Sequence, residues 1–103
     1  MKEYGENERK IAEFVYKEMC DGCCIQIGTG GVPTAIAALL AESDLKDLGV
    51  HTELLSDSIM MLEQKGLITG AKKSIQKGLM TTSILNGTAE FMEYVKENRE
   101  KFY

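Results

Sequence analysis

Three glycines fall within four positions of the stretch CIQIGTGGVPTA, residues 24–35: Gly28, Gly30 and Gly31, with Pro33 just beyond them. An ordered glycine loses more backbone freedom than any other residue, so a cluster of them answers to geometry. Two geometries would call for it. Either the turn is tight, or something must come close to its backbone. The stretch is not G-x-G-x-x-G, because Pro33 stands where the third glycine would be, and no Lys-Ser/Thr pair follows to make a P-loop.

The flanking pattern says what the loop connects. Ile11, Phe14, Val15 and Met19 recur at helical spacing, and Asp21-Gly22 is a C-terminal stop. CCIQI (23–27) reads as a short strand. Pro33 suits a first helical position, and TAIAALLA after it is apolar on nearly all sides, hence a buried helix. The polar connection SDLKDLG leads to a second strand, VHTELL (50–55). Ser56 or Asp57 can cap a third helix covering Ile59, Met60 and Leu62, with Gly66 as its stop. LITGAKKSIQKG holds at most a short strand and a basic loop with Lys72, Lys73 and Lys77. LMTTSIL (79–85) is a third strand, Asn86-Gly87 a turn and Thr88 an N-cap. Phe91, Met92 and Val95 line a last helix, and KENREKFY is expected to fray. Helices alternating with strands predict an α/β fold with a mostly parallel open sheet flanked by helices.

That topology gives the glycines a place. Strands 1 and 2, joined by a buried helix, should run parallel and end on the same edge. Gly28, Gly30 and Gly31 leave strand 1 there, and His51, Thr52 and Glu53 lie near the same end of strand 2. Ligands of open α/β sheets bind at that edge. A purely structural turn and a merely solvated Glu53 are equally compatible with this pattern.

At 103 residues, with 44% hydrophobic and 27% charged residues, the chain has the composition of an ordinary soluble globular domain. Its net charge of −4 makes a nucleic-acid footprint unexpected. No apolar run approaches the roughly 20 residues of a membrane span, and MKEYGENERK has no signal-peptide core, so a cytoplasmic location is expected. Cys20, Cys23 and Cys24 are an odd set within five residues, which is no disulfide framework. Their C-x-x-C closes a helix, whereas redox motifs open one. A zinc site with His51 is arithmetically possible, but Cys23 and Cys24 should point to opposite faces of a strand, and no metal is expected. Small buried hydrophobes is the favoured reading of all three.

Taken together, IQIGTGGVPTAIAALL, DLGVHTELLSD, QKGLITGAKKSIQKG and SILNGTAEFMEYV resemble the acetyl-CoA hydrolase/transferase family, and within it the 4-hydroxybutyrate and butyryl-CoA:acetate CoA-transferases. The resemblance runs from about Glu8 to Phe102. It implies that residues 1–103 are part of a CoA-transferase catalytic domain. Glu53, in the H-T-E stretch, would be the nucleophile that passes through a glutamyl-CoA thioester. Gly28, Gly30 and Gly31 would be the substrate-binding or CoA-binding loop, their backbone amides facing developing negative charge. Coenzyme A would be a substrate, with no further cofactor, alongside an acyl-CoA and a short-chain carboxylate such as acetate, butyrate or 4-hydroxybutyrate.

Thr29 departs from the family's usual G-I-G-G. Family members are also several times longer, with two α/β domains. The chain is therefore expected to need missing domains or a partner chain, to be inactive alone, and to leave apolar surface at residues 33–41 and Met60-Met61 that drives self-association. Two other classes, a CoA-binding or nucleotide-binding module and a non-catalytic interaction domain, also fit the loop.

Overall fold

The computed structural model describes residues 4–28 and 30–103. In chain order the elements are α1 (Glu6–Tyr16), β1 (Cys24–Ile25), α2 (Gly31–Ala41), β2 (Gly49–Leu55), α3 (Asp57–Gln64), β3 (Thr81–Leu85) and α4 (Ala89–Glu97), then a 3₁₀ turn at Arg99–Lys101. The strands form one sheet in the order β1-β2-β3, parallel throughout. Cys24 lies opposite Gly49 and Ile25 opposite Val50. On the other flank His51 lies opposite Thr81, Thr52 opposite Thr82 and Leu55 opposite Leu85. The expected α/β sheet is present, with the expected strand direction.

One core holds it together. Ile25, Ile27 and Val50, with Leu55 at the strand end, pack against Leu40 of α2, Ile59 and Leu62 of α3, and Phe91 and Tyr94 of α4. The alternate strand residues Cys24, Gln26, His51, Glu53 and Ser83 are exposed. The helices thus cover one face of the sheet, as the period-two alternation of strand side chains requires. The opposite face is met, among the described residues, by the loop at 72–75.

Local chemistry explains the ends. Thr88 caps α4 by accepting the Phe91 N–H (3.1 Å), and its own N–H and hydroxyl donate to the Asp57 carboxylate (3.0 and 2.7 Å). Asp57 thereby ties the start of α3 to the start of α4. Gly66, at φ +88°, ends α3 as anticipated.

Several boundaries differ. Strand β1 is two residues long, shorter than the expected 23–27, although Cys23 still accepts the Gly49 N–H at 2.9 Å. Helix α1 stops at Tyr16, short of Asp21-Gly22. That pair instead pins the far loop, with the Gly22 N–H donating to the Lys46 carbonyl and Asp21 Oδ1 accepting the Lys46 N–H (both 3.0 Å). Helix α2 starts at Gly31, so Pro33 is its third residue, where the missing N–H is harmless because first-turn amides have no intrahelical acceptor. The C-terminus does not fray. Met80 N–H donates to the Lys101 carbonyl (2.7 Å), Tyr103 N–H to the Met80 carbonyl (2.9 Å) and Thr82 N–H to the Tyr103 carbonyl (3.2 Å).

Apolar surface is left partly open at the expected place, where Ala38 and Met61 line a mainly apolar cleft between α2 and α3, and more fully at a place not expected. Helix α2 buries Ala35, Ala37 and Leu40, and Met60 is buried. It is α1 that turns its apolar stripe outward, with Ile11 50% and Phe14 70% exposed. Only its Ala12 is buried, on the side that packs on α2. A small residue permits that close helix approach, which leaves the larger ones outside.

The paired strand ends test which surface is packed. Leu55 is fully buried and its register partner Leu85 is 39% exposed. Leu55→Ala should destabilise by about 2–5 kcal/mol, and Leu85→Ala by less than half as much. Urea unfolding of the two variants checks the difference.

Candidate functional site

Glu53 sits in the middle of β2 on the face that the helices leave open, and its side chain is exposed. His51, two residues earlier, shares that face about 7 Å along the strand. Gln26 from the first strand segment and Thr81 and Ser83 from β3 border them, and together they line an open cleft of about 290 Å³. Thr52 and Thr82 also line the cleft, but Thr52 does not turn its side chain toward it. Its side chain is buried, and the single proton of its hydroxyl is shared between the Leu54 carbonyl (3.1 Å) and, more distantly, the Ile27 carbonyl (3.5 Å).

That second bond matters for the glycines. It marks Ile27 as lying beside Thr52, where the parallel register continued past the end of β1 puts it. Gly28, the next residue, therefore leaves the strand at the level of Glu53. His51 to Glu53 lie at mid-strand and not at the strand end where they were expected, and the cleft around Glu53 is lined by Gln26 from the β1 side and by none of the three glycines; the register alone brings the turn-off of the chain level with Glu53.

The three glycines do different work. Gly30 is the N-cap of α2 with φ +122° and ψ −176°, a conformation open essentially to glycine alone. Thr34 closes on it, its N–H and hydroxyl both donating to the Gly30 carbonyl (3.1 and 2.7 Å). Gly31 is the first helical residue. Among the described residues no side chain caps this N-terminus, and no acidic residue lies in its first turn, so the positive end of the helix dipole meets no negative side chain there. Gly28 has an exposed backbone, no left-handed φ, and nothing within 4 Å of where a Cβ would stand. The protein's own packing does not require a glycine there. Thr29 lies outside the described residues.

The cysteines are not the buried hydrophobes expected. Cys20 and Cys24 are exposed and Cys23 is half-buried, all as free thiols. Cys20 lies in the turn after α1, and Cys24 on the open face of an edge strand. Among the described residues no group of His, Cys, Asp and Glu is arranged to hold a metal ion.

One residue next to the site escaped sequence reasoning. Lys73 looked like part of a basic loop, yet it is 3% exposed. Its ammonium donates to the Val50 carbonyl (3.0 Å), the Leu79 carbonyl (2.6 Å) and the Thr81 hydroxyl (3.0 Å), which passes its own proton to Gln76 Oε1 (2.6 Å). Burial pushes its pKa below the ordinary lysine value, and neighbouring Cys24 draws it part of the way back. Gly49 in β2 was the available signal, since a Cβ there would lie 2.5 Å from Lys73 Cγ. Lys72 and Lys77 are exposed, as a basic loop predicts.

Two other clefts lack such chemistry. One of about 180 Å³ has its charges paired internally, Lys101 to Glu63 at 2.8 Å. The other, about 540 Å³ between α2 and α3, is mainly apolar. No helix among the described residues is long and apolar enough to cross a membrane.

An open parallel sheet with an exposed carboxylate on its central strand and a glycine turn at the same level is the architecture of an open α/β domain, a class whose ligands commonly bind at the carboxyl ends of the strands. Comparison with known proteins narrows this. The chain is 43% identical over 91 residues to the protein named "Probable butyrate:acetyl-CoA coenzyme A-transferase" of Syntrophomonas wolfei, covering 88% of this chain and 20% of that protein. It is 39% identical over 93 residues to the butyryl-CoA:acetate CoA-transferase of Anaerostipes caccae, covering 90% and 21%. The crystal structure of 4-hydroxybutyrate CoA-transferase from Porphyromonas gingivalis superposes with a TM-score of 0.85 at 33% identity, over 97% of this chain and 26% of that one. No family model matches. Nearly all of this chain is thus similar in sequence and fold to one segment of these CoA-transferases, and it spans about a fifth of the length of the curated relatives it matches.

The loop geometry separates two roles by substitution. Gly30→Ala should cost about 1–3 kcal/mol of stability through its backbone conformation. Gly28→Ala should change stability by less than about 0.5 kcal/mol. Thermal unfolding of both variants measures this.

Proposed function

We propose that this chain carries the nucleophile of a CoA-transferase that moves CoA between an acyl-CoA and a short-chain carboxylate, with Glu53 in that role. The observation that carries the reading is the exposed Glu53 carboxylate on the open sheet face, level with the glycine turn. The names of the matched relatives support the substrate class.

The chemistry follows from the groups. A Glu53 carboxylate oxygen attacks the acyl-CoA carbonyl, the C–S bond breaks, and an acyl-glutamyl anhydride and CoA thiolate result. The thiolate attacks the glutamyl carbonyl of the anhydride, expelling the first acid as its carboxylate and leaving a glutamyl-CoA thioester. An incoming carboxylate runs these steps in reverse, restoring Glu53 and leaving as the new acyl-CoA. Each step exchanges one acyl bond for another, so no oxidant or metal is called for. Each tetrahedral intermediate carries an oxyanion, and amides at Gly28, Gly30 and Gly31 are suited to face it. Donors of this kind are worth about 3 kcal/mol each in other enzymes. A cytoplasmic setting, where acyl-CoA and free acids meet, fits this reading.

The remaining sequence of such an enzyme would supply the pocket for the long CoA and the cover that keeps water from the anhydride. The 103 residues alone are accordingly expected to show no CoA exchange between acetate and butyryl-CoA. They should also self-associate through the bare apolar side of α1. Sedimentation and a CoA-exchange assay check both; turnover by a monomer would contradict the reading.

In a polypeptide that contains this chain and transfers CoA, Glu53→Gln should lower turnover by roughly 10³-fold or more while CoA still binds. Borohydride reduction of the thioester followed by peptide mapping should place the label on Glu53. A label on another carboxylate would transfer the role there.

A further inference from the structure

Lys73 lies outside the Glu53 cleft but reaches both strands that form it. Its three acceptors come from three segments: Val50 in β2, Leu79 in the connection and Thr81 in β3. Thr81 is the register partner of His51, and the Val50 carbonyl belongs to the peptide that leads into His51. The ammonium therefore bridges the pair of residues immediately upstream of Glu53 on the same face. Among the described residues it meets no carboxylate. A charge buried among neutral oxygens is unfavourable unless every proton is used, and here three protons meet three acceptors. The linkage continues outward. The Thr81 hydroxyl donates to Gln76, whose φ of +49° closes the loop, and the Gly78 N–H donates to the Gly70 carbonyl at 3.0 Å. Room for the lysine stem exists because residue 49 has no side chain.

We propose that Lys73 is a positioning residue for Glu53, fixing the height of β2 against β3 one residue pair before the carboxylate. The alternative is an anchor for the 70–79 loop alone. The two differ in what moves when the ammonium is removed. An anchor frees the loop; a positioning residue loosens the strands as well. The link to catalysis rests on the CoA-transferase reading, whereas the link to the strands does not.

The test uses Lys73→Met, which keeps the stem and removes the donors. Hydrogen exchange of the 103-residue chain should show protection at residues 50–54 and 81–83 falling about tenfold or more, with α4 unchanged. Loss confined to 70–79, or none, would overturn the proposal. Gly49→Ala gives an independent measurement. It should destabilise the parent, and most of that loss should vanish in a Lys73→Ala background, where the clashing atoms are gone; additive effects would overturn the proposal even if Lys73→Met failed to fold. In a CoA-transferring polypeptide, kcat per thioester-forming site should fall about 10- to 100-fold in Lys73→Met, with the KM for acyl-CoA within about twofold. Unchanged kcat per site would overturn the positioning role. If the parent polypeptide transfers no CoA, the CoA-transferase reading falls, and exchange and coupling still decide Lys73.

Discussion

Strand β2 is hydrogen-bonded in parallel on both flanks, and the rest of the molecule is arranged around that shared strand. A parallel neighbour cannot be reached by a tight turn, so each flank needs a crossover. Helix α2 makes the first and α3, with the 65–80 connection, the second. Both bring their apolar sides to one face, where Val50 meets Leu40, Ile59 and Leu62. Neither strand-helix-strand unit can bury that face without β2. The central strand is thereby the most constrained element, and Glu53 rides on it.

The constraint explains how the Glu53 carboxylate can be exposed while its backbone is firmly held. Parallel sheets are commonly covered on both faces. Among the described residues the loop carrying Lys73 meets the second face at the Cys24–His51 level, and Gln26, Glu53 and Ser83 are exposed. The side chain is open to solvent, while the ladders on either side hold its backbone still. Preorganisation of this sort comes from rigid elements more than from contacts to the side chain itself.

Much of this was legible in the residues. Alternation of β-like and helical patterns yields the parallel sheet, and Thr88 and Gly66 mark helix ends by chemistry that acts within a few positions. Glu53 emerges from the resemblance of the H-T-E stretch, and its exposed place on β2 agrees with a reactive role. What stayed hidden depends on partners distant in sequence. Asp21-Gly22 looks like a helix stop, yet serves Lys46, 25 residues on. The terminal KENREKFY has no strand pattern, and its order comes from Met80. Lys72 and Lys73 are identical in type and adjacent, but only one enters the interior, and the space for it is made by a glycine 24 positions earlier. The outward stripe of α1 reads as core because periodicity reports amphipathicity and is silent on which side finds a partner.

The bonding of the last residues to β3 has a consequence for how the sheet meets other chains. An unpaired strand edge is a template for intermolecular pairing, and proteins commonly blunt it. Here the outward amides of Met80 and Thr82 are occupied by Lys101 and Tyr103. The Tyr94 ring meets Phe102 edge-on at 6.0 Å and fastens the cover in place. The tail works as a guard rail along the first half of β3. Growth of the sheet by a foreign strand on that side is left the short stretch around Ile84 and Leu85, too brief to seed an extended ladder.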